Sequence, residues 1–223
     1  MTQNNIKLLM IKKARDIYFL LRYGKGNFLL IYIKTLIYYF TKKILLKKKI
    51  NDLKKIKYGN FTNSWFDDNI DYLIIYFLEE KDKIREMLEI GSFEGNSTLF
   101  FLNFFSNSNI KCVDIWEDQK NNYGETNFQS IEKKFNDNIS NYLHRLEKYK
   151  LPSNIFFKNK KKLNYFDLIF IDGSHYHKHV YADAINAFKS CKISGYILFD
   201  DYLFKYKTKN NSHPIFAINK FLK

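Results

Sequence analysis

The chain has 223 residues, of which 46% are hydrophobic and 18% aromatic, enough to bury one core and carry a small appendage. The two cysteines, Cys112 and Cys191, lie in predicted core segments, which argues against a disulfide framework. No uncharged apolar run reaches the roughly 18 residues of a membrane span, and no secretory signal pattern opens the chain. We therefore expect a cytoplasmic protein.

The positive charge is concentrated at the N-terminal end. Residues 1–60 hold 15 lysines and arginines but only two aspartates, and they account for almost all of the formal net charge of +14. Residues 61–223 are close to neutral. We predict two regions, a basic, aromatic-rich helical arm over residues 1–60 and the main folded domain over residues 61–223.

Three interpretations of the arm follow from its mixture of lysines and bulky apolar residues. The first is a helical cap that docks on the sheet of the main domain. The second is contact with an anionic membrane surface, which would place the protein at the inner face of the membrane. Nucleic acid is the third partner to consider, but the chain carries no nucleic-acid-binding fingerprint, so we do not expect it.

The sequence predicts helices in the arm and an alternation of helices and short apolar strands along the main domain. The predicted helices lie at 5–20, 27–50, 67–80, 96–105, 127–149 and 178–190. The predicted strands lie at 86–90, 110–114, 154–157, 166–171 and 196–199. This alternation predicts an α/β fold with a doubly wound, mostly parallel sheet and helices on both faces.

The most informative stretch of the chain is Glu89-Ile-Gly-Ser-Phe-Glu-Gly-Asn-Ser-Thr98. A strand leads into a glycine loop and then into a helix start, a geometry in which backbone amides can approach a nucleotide-like ligand. Glycine suits these positions because a Cβ atom would block that approach. The stretch matches neither the dinucleotide fingerprint nor the phosphate loop, which disfavours a nicotinamide-dependent oxidoreductase.

Acidic residues end three later strands, at Asp114, Asp172 and the pair Asp200 and Asp201. The carboxyl ends of parallel strands meet at one edge of the sheet, so these side chains should converge there. Asp172, Asp200 and Asp201 would be crowded together, and crowded carboxylates raise one another's pKa unless a cation lies among them. Because all the available ligand atoms are oxygens, the expected cation is Mg²⁺. The alternative is that one aspartate caps the following helix and another binds a backbone amide.

Three motifs in order carry a resemblance to a known family: the stretch from Glu89 to Thr98, then Ile171-Asp-Gly-Ser-His175, then Phe199-Asp-Asp-Tyr202. From Phe61 onwards the chain resembles the class I S-adenosylmethionine-dependent methyltransferases, which have a Rossmann-like fold. Within them it looks most like the O-methyltransferase branch that acts on small molecules and sugars, the methyltransferase domain 24 type. The resemblance implies methyl transfer from S-adenosylmethionine to a hydroxyl of a small-molecule or glycan acceptor.

The resemblance also implies where the methyl donor binds. Asp114 would accept hydrogen bonds from the ribose hydroxyls, and Trp116 would pack against the adenine. For Asp114 the alternative is a solvent-exposed strand-end acid, and a core tryptophan would look the same as Trp116 in sequence. The predicted cofactor-binding residues are Glu89, Gly91, Ser92, Gly95, Ser97, Asp114 and Trp116.

A metal site and a general base follow from the same resemblance. Asp172, Asp200 and Asp201 would hold Mg²⁺, and His175 would act as the base, so that Asp172 and His175 are the predicted catalytic residues. The alternative for His175 is a polar residue at a helix start. We expect the neighbouring His177 and His179 to lie at the surface or to face the substrate.

The chain departs from the family pattern in two places. Family members place an acidic or small polar residue after the third strand to contact the adenine amine, whereas this chain has Lys158-Asn-Lys-Lys-Lys162. After Tyr202 the family continues into two further strands, so we expect the closing C-terminal strands to be missing and a homodimer or the arm to cover the sheet edge.

The competing function is a catalytically inert Rossmann-like binding module, held at an anionic membrane surface by its basic arm.

Overall fold

A computed structural model describes residues 28–54, 59–117, 119–120, 127–128, 130–159, 163–204 and 213–222. The helices are α1 (Phe28–Leu45), α2 (Lys47–Lys54), α3 (Asp67–Phe77), α4 (Asn96–Phe104), α5 (Ile131–Ile139), α6 (Ser153–Asn159), α7 (His177–Ser190) and α8 (Pro214–Phe221). The strands are β1 (Glu86–Ile90), β2 (Asn109–Asp114), β3 (Gln119–Lys120), β4 (Asn127–Phe128), β5 (Leu146–Lys150), β6 (Phe166–Ile171) and β7 (Cys191–Phe199). The helix predicted at 5–20 lies outside the described residues.

Five strands form one parallel sheet in the order β5-β2-β1-β6-β7. Strands β3 and β4 form a separate two-stranded antiparallel pair. Helices cover both faces of the large sheet, which confirms the predicted Rossmann-like doubly wound fold. In the described part of the chain, β7 has a strand partner on one side only, and it therefore forms an edge.

Side chains of the central strands alternate between two buried layers. Met87 and Phe170 face the layer that contains α3, α4 and α5, whereas Leu88 and Ile169 face the layer that contains α6 and α7. Because successive side chains of a strand point to opposite faces, a sheet covered on both faces needs apolar residues at nearly every position. This explains why apolar residues predominate in β1 and β6, where Glu89 is a fully buried exception.

Two of the predicted elements are wrong. The helix predicted over 127–149 is divided into β4, the short helix α5, a 3₁₀ turn at Ser140–Arg145 and the edge strand β5. The strand predicted at 154–157 lies within helix α6, and the third strand of the family order is β5 instead. Strand β5 is hidden in sequence because its residues, Leu146-Glu-Lys-Tyr-Lys150, are mostly charged, and charged side chains are typical of an edge strand.

The described part of the arm docks on helix α3 through one acidic residue. Asp71 is buried in this contact; Lys43 Nζ lies 2.6 Å from its carboxylate, and Lys54 also pairs with it. Although burial raises the pKa of Asp71, its hydrogen bonds with both lysines and their charges hold it below its usual value. Tyr39 stacks on Tyr72 beside this cluster, with ring centroids 4.0 Å apart. Residues 28–54 therefore form a helical cap, although it contacts α3 more than the sheet.

No helix among the described residues combines the length and the apolar character that crossing a bilayer requires. Exposed apolar side chains nevertheless occur on the outer face of α1, including Ile37, Ile44 and Leu45.

The ends of β1 and β6 approach each other so closely that one position tolerates only glycine. Gly91 has a φ of +88°, and a Cβ atom there would lie 2.1 Å from the backbone oxygen of Asp172. Gly95 has a similar φ of +84°, but a Cβ atom there would meet only side chains, the Phe135 ring at 3.1 Å and Ile139 at 3.4 Å. Both glycines therefore need a positive φ, but of the two only Gly91 has a backbone atom, the Asp172 oxygen, where a Cβ atom would lie.

We expect Gly91→Ala to destabilise the fold far more than Gly95→Ala. The positive φ costs an alanine about 1 to 2 kcal/mol at either position, and the clash at Gly91 should bring the total to about 4 kcal/mol or more. Urea unfolding of both variants measures the difference, and Gly95→Ala serves as the matched control. Equal losses in the two variants would contradict the close approach of β1 and β6.

A buried carboxyl on α7 makes the stability of the fold depend on pH. Asp183 is 3% exposed, and the Ser153 hydroxyl at the start of α6 donates a hydrogen bond of 2.6 Å to it. Burial raises the pKa of Asp183 to about 6, against smaller lowering effects from Ser153 and His179. The contribution of this group to stability is therefore complete below pH 4 and is lost as the pH rises through 6.

We expect Asp183→Asn to be more stable than the wild type at pH 8, by about 3 kcal/mol, because asparagine cannot ionise in the buried site. The difference should vanish near pH 3, where the wild-type carboxyl is mostly protonated in both the folded and unfolded states. Chemical unfolding at the two pH values checks this expectation. Asp82→Asn is the control, since the Asp82 side chain is 67% exposed; a gain for Asp183→Asn that is equal at both pH values would refute it.

Candidate functional site

Three strand ends meet around Gly91. The Gly91 amide donates to the Val113 carbonyl of β2, at 2.9 Å, and the Asp172 amide after β6 donates to the Ile90 carbonyl of β1, at 2.8 Å. On the other side of β6, the Asp200 amide donates to the Ile171 carbonyl, at 3.2 Å. The residues predicted to bind the methyl donor and the three predicted metal ligands therefore lie at the same carboxyl edge of the sheet.

A buried carboxylate holds the glycine loop to the start of α4. Glu89 is fully buried and accepts hydrogen bonds from the hydroxyls of Ser92, at 2.8 Å, Ser97 and Thr98. Burial raises the pKa of Glu89, and the three hydroxyls oppose that shift. Gly91, Ser92, Gly95 and Ser97 are thus brought together as predicted, but Glu89 and the two serine hydroxyls bind one another. A methyl donor bound beside this loop would therefore contact backbone groups, such as the amides at the start of α4, rather than these side chains.

Asp114 fastens the glycine loop to the end of β2. One carboxylate oxygen accepts the Phe93 amide, at 2.9 Å, and the other accepts the Trp116 amide, also at 2.9 Å. Both donors have positive φ, +46° for Phe93 and +44° for Trp116, a conformation that such residues adopt only when their surroundings impose it. Asp114 is partly exposed, and a carboxylate has lone pairs for further hydroxyl donors.

Trp116 lies mostly in the core. Its ring is 4% exposed, packs against Phe135 with centroids 4.7 Å apart, and lies 4.6 Å from the Lys148 ammonium group. Its indole nitrogen donates a hydrogen bond of 2.9 Å to the Phe93 carbonyl, so the tryptophan stabilises the conformation of the glycine loop. A contact with adenine remains a prediction for this residue.

The second cluster contains Asp172, His175 and Asp201. Each offers a ligand atom, and these atoms all lie within 4.8 Å of one another. His175 Nε2 lies 2.8 Å from an Asp201 carboxylate oxygen. Asp200 is adjacent but points towards α3, where the Asn69 side-chain amide donates a hydrogen bond to it. The structure therefore places His175, the predicted base, within hydrogen-bonding distance of Asp201, one of the predicted metal ligands.

The acidic cluster strongly favours a positive charge. Burial raises the pKa of Asp172 well above its usual value, and the charges of Asp200 and Asp201 add to this shift. Burial together with Asp201 raises the pKa of Asp200 to about 6. Burial lowers the pKa of His175, but its hydrogen bond with Asp201 outweighs this effect and raises it. A divalent cation would relieve these unfavourable interactions, so the residues present fit a magnesium ion.

Sequence reasoning did not identify several residues that lie over the carboxyl edge of the sheet. Asn69 reaches Asp200 from α3, and Glu94 in the glycine loop accepts the Thr62 amide and hydroxyl, both at 2.6 Å. Trp65, which is 67% exposed, stacks over Phe93 with ring centroids 6.1 Å apart. None of these contacts has a local sequence signal, because each joins segments at least 28 residues apart.

The two other histidines do not join the cluster. His179 is exposed, and its Nδ1 lies 2.9 Å from the Ser174 hydroxyl. His177 is partly buried at the start of α7 and packs beside Tyr176. The lysine run after Phe157 is described only as far as Asn159, and the rest of it lies outside the described residues.

Comparison with known proteins identifies relatives of the chain. The sequence profile of a family described as methyltransferase domain matches residues 88–202. An uncharacterized protein of Acanthamoeba polyphaga mimivirus is 36% identical over 124 residues, which make up 55% of this chain and 53% of that protein. The chain thus spans about half the length of that curated relative.

Solved structures show the same fold at low sequence identity. An O-methyltransferase from Bacillus cereus in complex with SAH superposes with a TM-score of 0.51 at 19% identity, covering 82% of this chain and 76% of that one. The cofactor-bound protein Rv0187 from MTB superposes with a TM-score of 0.53 at 15% identity, covering 89% and 77%. The family profile extends over more than half of the chain and includes all three motifs, so the chain belongs to the methyltransferase domain family of class I S-adenosylmethionine-dependent methyltransferases.

Proposed function

We propose that the protein transfers the methyl group of S-adenosylmethionine to a hydroxyl of a small-molecule or glycan acceptor, with assistance from Mg²⁺. The observation that carries this proposal is the position of Gly91 between two sets of polar groups. Asp114 and the loop amides lie on one side, and Asp172, His175 and Asp201 lie on the other. A donor that spans Gly91 would present its methyl group to an acceptor held at the acidic cluster.

The donor would use the residues that the sequence predicted. The amides at the start of α4 suit the carboxylate of its methionine part, because the first amides of a helix have no partner within the helix and favour an anion. The amides of Gly91, Phe93 and Gly95 already donate to Val113, Asp114 and Ser92. The ribose hydroxyls would donate to the remaining lone pairs of Asp114. Glu89 and the Ser92 and Ser97 hydroxyls would act by holding this loop in shape.

Methyl transfer is an in-line displacement. The acceptor oxygen forms a bond with the methyl carbon while the carbon–sulfur bond breaks, and the sulfur keeps the electron pair as S-adenosylhomocysteine forms. His175 would take the hydroxyl proton, with Asp201 orienting the imidazole ring and stabilising its charged form. Asp172 and Asp201 would hold Mg²⁺, which would supply positive charge that lowers the pKa of a nearby hydroxyl. Asp200, the third predicted ligand, is bound to Asn69 and would have to turn from it to join them.

A second candidate function is an inert binding module at an anionic membrane. It is favoured by the exposed apolar side chains of α1, such as Ile37, which is 63% exposed, and Ile44, which is 77% exposed. Lysines flank these residues at Lys34 and Lys42. In this case the arm would bind vesicles that contain anionic lipids, and the strand-end carboxylates would have no role.

We expect the folded protein to bind S-adenosylmethionine with micromolar affinity, and Asp114→Ala to weaken binding at least tenfold because the ribose hydroxyls lose their acceptor. Isothermal titration calorimetry measures both affinities, and circular dichroism establishes that each protein is folded. Asp82→Ala is the control, because this exposed carboxylate lies away from the carboxyl edge of the sheet. Absence of binding by the folded wild type would rule out methyl transfer and leave the inert module.

We expect Mg²⁺ to bind with submillimolar affinity at the acidic cluster. Asp172→Asn and Asp201→Asn should each weaken this binding at least tenfold, since each variant removes one charged ligand from the set. Titration calorimetry with MgCl₂ gives the affinities without any acceptor. Asp137→Asn, which changes an exposed carboxylate on α5, should bind Mg²⁺ like the wild type; wild-type affinity in the two cluster variants would overturn the metal assignment.

A further inference from the structure

An apolar groove of about 510 Å³ runs beside the acidic cluster, and we call it the β7 groove. One wall is helix α1, a second is helix α3, and the third is the edge strand β7 with the C-terminal end of α8. This volume lies within the roughly 300 to 1,000 Å³ that small-molecule sites occupy in proteins. The groove is therefore large enough for a ligand and is formed partly by the basic arm.

The β7 groove ends at the proposed reaction centre. Its lining includes Asn69 and Asp200, which are joined by a hydrogen bond. Asp200 follows β7 directly and is adjacent to Asp201 and Asp172 of the acidic cluster. A molecule lying in the groove would thus have one end beside the carboxylates and the other end between α1 and β7.

The walls of the groove suit an apolar molecule. Leu73 and Phe77 come from α3, Phe170 from β6 and Leu198 from β7, and these side chains present hydrocarbon surface. A free sugar carries hydroxyls around its whole ring, and burying hydroxyls without hydrogen-bond partners is costly. An acceptor with one polar end and an apolar body would leave far fewer hydroxyls without a partner.

We propose that the β7 groove is the acceptor site and that it takes a hydroxylated amphiphile. The hydroxyl would lie at the Asn69 and Asp200 end, and the apolar chain or ring system would lie between α1, α3 and β7. This inference rests on the proposed methyl transfer and narrows the acceptor from any small molecule or glycan to one with an apolar body. It also gives the arm a function in substrate selection, since Tyr32 and Thr35 of α1 line the groove.

Alkyl glucosides test the proposal because they vary the apolar part at a constant polar head. We would titrate the full chain with glucose and with butyl, hexyl and octyl β-D-glucoside below their micelle concentrations. Affinity should rise about fourfold for each added methylene group, and glucose should show no binding. Equal affinity along the series, or glucose binding as tightly as octyl glucoside, would overturn the proposal.

Substitutions on the walls locate the binding. Thr35→Trp would fill the groove from α1, and Leu222→Trp would fill it from the end of α8, where Leu222 is partly exposed. Each should lower the affinity for octyl glucoside at least tenfold. Thr41→Trp introduces the same ring on the exposed side of α1 and should change the affinity less than twofold.

The remaining outcomes separate this inference from the proposed function. Thr35→Trp should still bind S-adenosylmethionine and Mg²⁺, because Thr35 contacts neither predicted site. Normal donor binding with equal octyl glucoside affinity in Thr35→Trp and Thr41→Trp would overturn the groove while leaving methyl transfer intact. Groove binding by a wild type that does not bind the donor would overturn methyl transfer and, with it, the acceptor assignment. Sedimentation of the wild type as a dimer that Thr35→Trp dissociates would assign the groove to a second copy of the chain instead.

Discussion

The buried carboxylate of Glu89 organises the edge of the sheet on which the proposed chemistry depends. Because three hydroxyls of the following loop and helix donate to it, the loop is drawn down over the end of β1. Asp114 fixes the outer side of the loop to β2 by accepting the Phe93 amide. An internal charge that is costly to bury is therefore compensated locally, and the result is a rigid loop that leads into the start of α4.

Helix α3 connects the basic arm to the acidic cluster. Asp71 on this helix binds Lys43 and Lys54 of the arm, while Asn69, two residues earlier, binds Asp200. Residues two apart on a helix lie on different sides of it, so α3 contacts the arm with one side and the site with another. A shift of the arm on α3 would consequently be transmitted to Asp200 through a single rigid helix.

The sequence allowed prediction of those features that have a local signal. Gly91 and Gly95 mark the loop because their backbone geometry excludes other residues, and the apolar runs of β1 and β6 mark strands buried on both faces. Strand β5 was missed because its charged residues resemble a helix surface, and residues 154–157 of α6 were predicted as a strand because a short apolar run fits either structure. Asn69 could not be found at all, since its partner lies 131 residues away.

The two edges of the sheet differ in a way that bears on how the protein could evolve. Strand β5 carries its own charged side chains, whereas β7 faces helix α1 across an apolar groove. A descendant that lost the arm would present this strand to other chains, and selection against aggregation would then require new charges on β7 or a replacement cover. The arm and the catalytic domain are thus expected to be inherited together, with sequence changes in α1 tracking changes along β7.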